Sequence, residues 1–88
     1  MNIEQLLNTM GKAHRYRVLH AIHMLEPVSF SAIASSLNMQ KKQVALARTL
    51  NSLRIEGLIW KERKGNGNTL YTLSSDGRYF MEAILTLE

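Results

Sequence analysis

The chain has 88 residues and a mass of 10.0 kDa, which is one domain (1–88) with no room for a second. It contains no cysteine, so disulfides, thiolate metal sites and cysteine nucleophiles are excluded. With 45% hydrophobic and 20% charged residues it matches neither a disordered nor a membrane-embedded chain. No apolar stretch approaches the roughly 20 residues of a bilayer span. The start, MNIEQLLNTM, lacks a basic segment followed by an apolar block, so no signal peptide and a cytoplasmic address are expected.

The net charge is +4, and its distribution says more than its total. Between Lys41 and Lys64 lie seven basic residues and two acids, so this window is +5 and the remainder is −1. Concentrated positive charge points to a polyanion, nucleic acid before membrane. The bland alternative is a solvated basic face.

Taken in chain order, Ile3, Leu6, Leu7 and Met10 have helical spacing, ended by Gly11. A second helix is predicted over Ala13–Leu25, with Val18, Leu19, Ile22 and Leu25 on one face and Pro27 as its stop. Val28-Ser29-Phe30 reads as a short strand. A short helix is then predicted over Ser31–Leu37, opened by Ser29 or Phe30–Ser31, with Ile33, Ala34 and Leu37 inward and Ser as a good N-cap. Asn38-Met39-Gln40 reads as a turn with one buried residue. The next helix is predicted over Lys41–Glu56, with Leu46, Leu50 and Leu53 inward and Gly57 as its stop. Leu58–Lys64 and Thr69–Leu73 read as strands joined by the turn Gly65-Asn66-Gly67-Asn68. Ser74 or Ser75 caps a last helix reaching about Leu87, with Phe80, Ala83, Ile84 and Leu87 as its apolar positions.

Two helices across a short turn, the second rich in Lys, Arg, Gln, Thr and Ser, make a helix-turn-helix, and a basic hairpin after it makes a wing. The predicted class is α+β, mostly helical. The segments KAHRYRVLHAI, FSAIASSLNM, LNSLRIEGLIWKERKGNGNTLYTLSSDGR and, within the last, LSSDGR together resemble the winged helix-turn-helix regulators of the ArsR/MarR-type superfamily. The resemblance covers nearly the whole chain and implies a DNA-binding transcriptional regulator that dimerises through its terminal helices. One departure stands out: Leu37–Leu50 is about two residues longer than the usual pattern. Either the turn is expanded or the recognition helix begins a half-turn early.

The candidate DNA contacts follow from helical phase. With the leucines inward, the recognition helix presents Lys41, Lys42, Ala45, Arg48, Thr49 and Ser52. Arg can grip a guanine edge, and Gln43 could pair with adenine. Lys41 and Lys42 suit phosphates. The wing offers Lys61, Arg63 and Lys64, with Asn66 and Asn68 at a tip suited to a backbone or a minor groove. Arg15 could reach a phosphate or pair with Glu56. Trp60 reads as a core or dimer-face aromatic, and Tyr71 as closing the sheet against the recognition helix.

His14, His20 and His23 are the only conceivable metal ligands, and they read better as exposed helix residues than as a metal site. No Gly-rich phosphate loop, nucleophile–base pair or paired carboxylates occur, so no enzyme and no cofactor are expected. A domain this small buries roughly 60–65% of its unfolded surface and gains from a partner. Leu6, Leu7 and Met10 at one end and Phe80, Ile84 and Leu87 at the other are surplus apolar surface for a homodimer on palindromic duplex DNA. Rival readings are a protein-binding winged-helix module, a non-specific architectural DNA binder, and a small metal- or ligand-responsive sensor.

Overall fold

Pro27, Asn38, Gly57 and Ser74 punctuate the chain, and the elements fall between them. A computed structural model describes residues 13–64 and 68–87. In order these form α1 (Ala13–Leu25), β1 (Val28–Ser29), α2 (Phe30–Ser36), α3 (Gln43–Ile55), β2 (Ile59–Arg63), β3 (Thr69–Leu73) and α4 (Ser75–Leu87). The expected helix at Ile3–Met10 and the wing tip with Asn66 lie outside the described residues.

Each boundary has a local cause. The Ser29 hydroxyl accepts from the Ala32 amide at 3.2 Å and caps α2. The helix ends where Asn38 turns left-handed, at φ 57°. There Met39 N–H donates to Ala34 C=O at 2.8 Å and Asn38 N–H to Ser35 C=O at 3.2 Å. Gly57, at φ 78°, ends α3 in the same way, with Leu58 N–H donating to Leu53 C=O and Gly57 N–H to Arg54 C=O, both at 3.0 Å. Both are Schellman closures, which satisfy carbonyls that a helix end would otherwise leave free.

The first closure decides where α3, the expected recognition helix, starts. After Asn38 the chain makes a further turn, with Lys42 N–H donating to Met39 C=O at 2.9 Å, and α3 begins only at Gln43. The two additional residues therefore expand the turn. Lys41 stands in that turn and Lys42 at the helix cap, not on the helix as expected.

The strands form one antiparallel sheet in the order β1-β3-β2, with Val28 opposite Tyr71 and Lys61 also opposite Tyr71 on the other side. Leu46, Leu50 and Leu53 of α3 are buried as their spacing predicts, against Val18, Leu19 and Ile22 of α1 and Ile33 of α2. Leu25, expected inward, is exposed at the end of α1.

The last helix departs most from expectation. Met81 and Ile84 face the core, while Phe80 and Ala83 lie outside. Ile84 is only 5% exposed and packs against Tyr16 of α1, so it belongs to the core and not to a free interface stripe. The cause is the way α4 is seated. The Ser74 hydroxyl donates to Gly57 C=O at 2.6 Å and accepts from Gly77 N–H at 3.0 Å. Ser74 N–H donates to Leu58 C=O at 3.1 Å. This brings Gly77 against the Leu58 backbone and sets the helical phase that turns Met81 and Ile84 inward.

Glu26 ties the end of α1 to the same region. Its carboxylate accepts from both terminal nitrogens of Arg78 at 3.0 Å and from Leu73 N–H at 3.1 Å, joining the end of α1 to β3 and α4. Such a bidentate pair fixes geometry as well as supplying energy.

A Cβ on Gly77 would stand 1.9 Å from the Leu58 carbonyl oxygen, which is backbone and cannot swing away. Alanine ordinarily stabilises a helix over glycine by about 1 kcal/mol. Here the clash wins, and Gly77→Ala is expected to destabilise the protein by about 2–3 kcal/mol. Urea unfolding measures this; an unchanged or higher midpoint would contradict the packing described.

Candidate nucleic-acid interface

The interface is built on the outward side of α3. Since the helix turns about 100° per residue, the residues opposite Leu46 and Leu50 are Val44, Arg48, Asn51 and Ile55, all exposed. Arg48 stands mid-helix on this face. Gln43 is exposed at the first turn, beside the exposed Lys41 and Lys42. Thr49 and Ser52 lie at its margins, half-buried. The Thr49 hydroxyl donates to Ala45 C=O at 3.1 Å, and the Ser52 hydroxyl donates to the Glu56 carboxylate at 3.5 Å. Both hydroxyls therefore have partners within the helix.

The wing is mostly solvent-facing: on β2 only Ile59 is buried. Alternation places Lys61 and Arg63 on the same face as Ile59, toward α3, with Trp60 and Glu62 on the other. Lys61 sits opposite Tyr71 and Arg63 opposite Thr69. Lys64 pairs instead with Glu62 at 3.3 Å, both exposed. A pair so exposed contributes little and can exchange for a phosphate. Asn68 closes the described base of the hairpin, its carbonyl accepting from Lys64 N–H at 2.7 Å. Trp60, expected in the core or at a dimer face, is 62% exposed, so the core is excluded. The cause is register: Trp60 faces Thr72, on the sheet face away from α3.

Between α3 and the wing runs a cleft of about 260 Å³, lined by Ala47, Asn51 and Arg54 of α3, Lys61 and Tyr71 of the sheet, and Phe30. Arg54 belongs to the basic window but was not foreseen as part of the site. The available signal was its position four residues after Leu50, on the flank toward the hairpin. Its guanidinium donates to the Asn51 side-chain oxygen at 2.9 Å. Tyr71 closes the sheet against α3 as its place in the strand suggests, and it is buried.

At the back of α3, Arg15 of α1 forms an ion pair with Glu56. This selects the structural role of Arg15 over the phosphate role. His20 stacks beside Tyr16 with ring centres 5.9 Å apart, and His20 and His23 are half-buried, not exposed as expected. The Tyr16 ring, one turn earlier on α1, partly covers His20. Among the described residues, no three His, Cys, Asp or Glu side chains gather at one point, and no helix is long and apolar enough to cross a membrane. On α4, Phe80 is 38% exposed beside the exposed Tyr79.

Burial raises the Tyr71 phenol above its ordinary value of 10.0, an effect partly offset by the nearby Arg54 charge. A raised folded-state pKa means that the stabilising contribution is fully present below the unfolded pKa. It is lost as pH rises through the folded one. Thermal unfolding between about pH 8 and pH 11 should therefore show a steeper loss of stability in the wild type than in Tyr71→Phe, with onset near pH 10. Parallel curves would contradict the buried placement of this phenol.

No protein-family model and no curated protein matches the chain. Solved structures do match its fold. A protein of unknown function from Listeria innocua is 26% identical over 83% of this chain and 50% of its own, with a TM-score of 0.73. MarR from E. coli, in its apo form, is 21% identical over 96% of this chain and 63% of its own, with a TM-score of 0.82. MepR from S. aureus, in a complex with DNA, is 17% identical over 94% of this chain and 61% of its own, with a TM-score of 0.76. The chain thus spans about half to two thirds of the length of these structures. The likeness extends over both the helix-turn-helix and the hairpin, and the chain has the winged-helix fold of MarR-type proteins.

Proposed function

We propose that the chain binds duplex DNA in a sequence-specific manner and regulates transcription, repressing by occupying its operator. The observation that carries this reading is the shared face of α3 and the wing. Arg48 stands opposite the packed leucines, Lys61 and Arg63 stand on the α3 side of the hairpin, and none of the three forms an ion pair among the described residues. The fold likeness to MepR, which was solved in a complex with DNA, supports DNA as the partner. In this reading α3 enters the major groove, Arg48 reads a base edge with Thr49, Ser52 and Gln43 beside it, and Lys41 and Lys42 hold phosphates at the helix start. Lys61, Arg63, Lys64 and the tip residues Asn66 and Asn68 follow the backbone or the minor groove. A protein-binding module is the second reading, favoured by the exposure of Val44 and Ile55 on the same face.

Two variants separate base reading from charge. On a duplex selected from a random library, Arg48→Ala should lose roughly ten- to hundredfold, and less on unrelated DNA. Replacing Lys61, Arg63 and Lys64 together by Ala should weaken both duplexes alike and lower the log–log salt slope by about one per lost contact. Equal Arg48→Ala losses on both duplexes would make it a phosphate contact, and an unchanged salt slope would remove the wing from the interface. Failure to bind any duplex would leave the protein-binding reading.

The homodimer belongs to the same proposal. Two recognition helices must stand about one helical turn, roughly 34 Å, apart to read a palindrome. The exposed Phe80 on α4 supports a dimer through the terminal helices; Leu6, Leu7, Met10 and the Leu87 side chain lie outside what the structure describes. Phe80→Asp places a carboxylate at a site that is 38% exposed in the single chain but would bury a charge in a dimer, and circular dichroism verifies that the variant is folded. Sedimentation at micromolar concentration should give a dimer for the wild type and a monomer for Phe80→Asp; a 10.0 kDa wild-type monomer would contradict this.

A further inference from the structure

We infer that Val44 is a specificity-determining residue that packs on the C5-methyl group of a thymine in the bound site, close to the guanine read by Arg48. The inference rests on the DNA-binding reading above and names a base that the basic residues alone do not.

Val44 is the second residue of α3 and is 69% exposed. It gives nothing to the core, and a β-branched residue is a weaker helix former than most alternatives at an exposed position. Its place is functional in kind, because recognition helices contact base edges with their N-terminal residues. Lys41 and Lys42, exposed beside it, supply the charge complement to a phosphate backbone at that end. The flanking Ala45 and Ala47 are small and exposed, so the face has low shoulders and can seat deeply. In a major groove, an apolar side chain finds one matching apolar group, the thymine methyl.

Spacing adds a constraint. Arg48 follows Val44 by one turn on the same face, about 6 Å along the helix. That is about two base-pair steps, so the thymine should lie within about two or three base pairs of the guanine. Ile55 also faces outward and is 75% exposed, but it lies about 16 Å further along α3, at the end away from the bases. It serves as an internal control.

The test uses the 88-residue chain and a duplex recovered by selection from random sequence. Each thymine is replaced in turn by uracil, which removes only the methyl group. For the wild type, one such replacement in each half-site should weaken binding by about fourfold, the worth of one buried methyl. Val44→Ala should bind the thymine and uracil duplexes alike, with its salt slope unchanged, and Ile55→Ala should keep the full preference. Val44→Ala folds normally in this account, which circular dichroism verifies. Neutrality of every replacement in the wild type would overturn the inference, as would a preference retained by Val44→Ala or lost in Ile55→Ala. If no sequence is enriched by selection, the sequence-reading proposal fails first, and this inference with it.

Discussion

Ser74 holds together the parts on which everything else depends. Its hydroxyl and amide bond to Gly57 and Leu58, the two residues that leave α3, and its oxygen caps the last helix through Gly77. Ser74 also follows directly on β3, the returning strand of the wing. One residue thus fastens the end of α3, the inner ends of both wing strands and the start of α4. The left-handed turn at Gly57 and the missing side chain at Gly77 are what let the backbones approach so closely. Any site shared by α3 and the wing inherits its geometry from this junction, because the hairpin itself buries little beyond Ile59, Tyr71 and Leu73.

Charge is partitioned around that frame. Glu26 takes Arg78 and Glu56 takes Arg15, so these two arginines and their acids are engaged in holding elements together. Lys41, Lys42, Arg48, Lys61 and Arg63 are exposed and take no such partner among the described residues. Glu26 and Glu56 are thus held in ties between elements, while these exposed bases remain available to the polyanion of the proposed function. The Arg15–Glu56 pair adds a direct link from the first helix to the end of the recognition helix.

Much of this was legible in the residues. The leucine spacing of α3, the short strand after Pro27, the two strands that flank the Gly and Asn cluster and the Ser cap of α4 all follow from periodicity and turn chemistry and are found close to their expected bounds, although Phe30, expected in the strand, opens α2 instead. The starting point of α3 was open between two alternatives. A one-dimensional pattern does not reveal that Asn38 makes a full Schellman closure and that a second turn follows before helix can resume. The face of α4 was misread for a related reason. Phe80, Ala83, Ile84 and Leu87 make a plausible stripe, yet the tertiary contact between Gly77 and Leu58 rotates the helix so that Met81 and Ile84 go inward. Arg54 and Asn51, which line the cleft between α3 and the wing, do not stand out in the sequence because that cleft depends on a wing packed against α3, a long-range relation. The outward placing of Val44 and Ile55 followed from the same leucine phase but was overlooked beside the charged residues.

In the proposed docking α3 enters the major groove while the wing lies on the adjacent backbone or minor groove. Dimethyl sulfate interference on a bound duplex tests it directly, because the reagent marks guanine N7 in the major groove and adenine N3 in the minor groove. Methylation at a guanine N7 within each half-site should block the wild type and cease to matter for Arg48→Ala, with any adenine N3 effects confined to the flanks. Interference at adenine N3 alone, or none at any guanine N7, would contradict it.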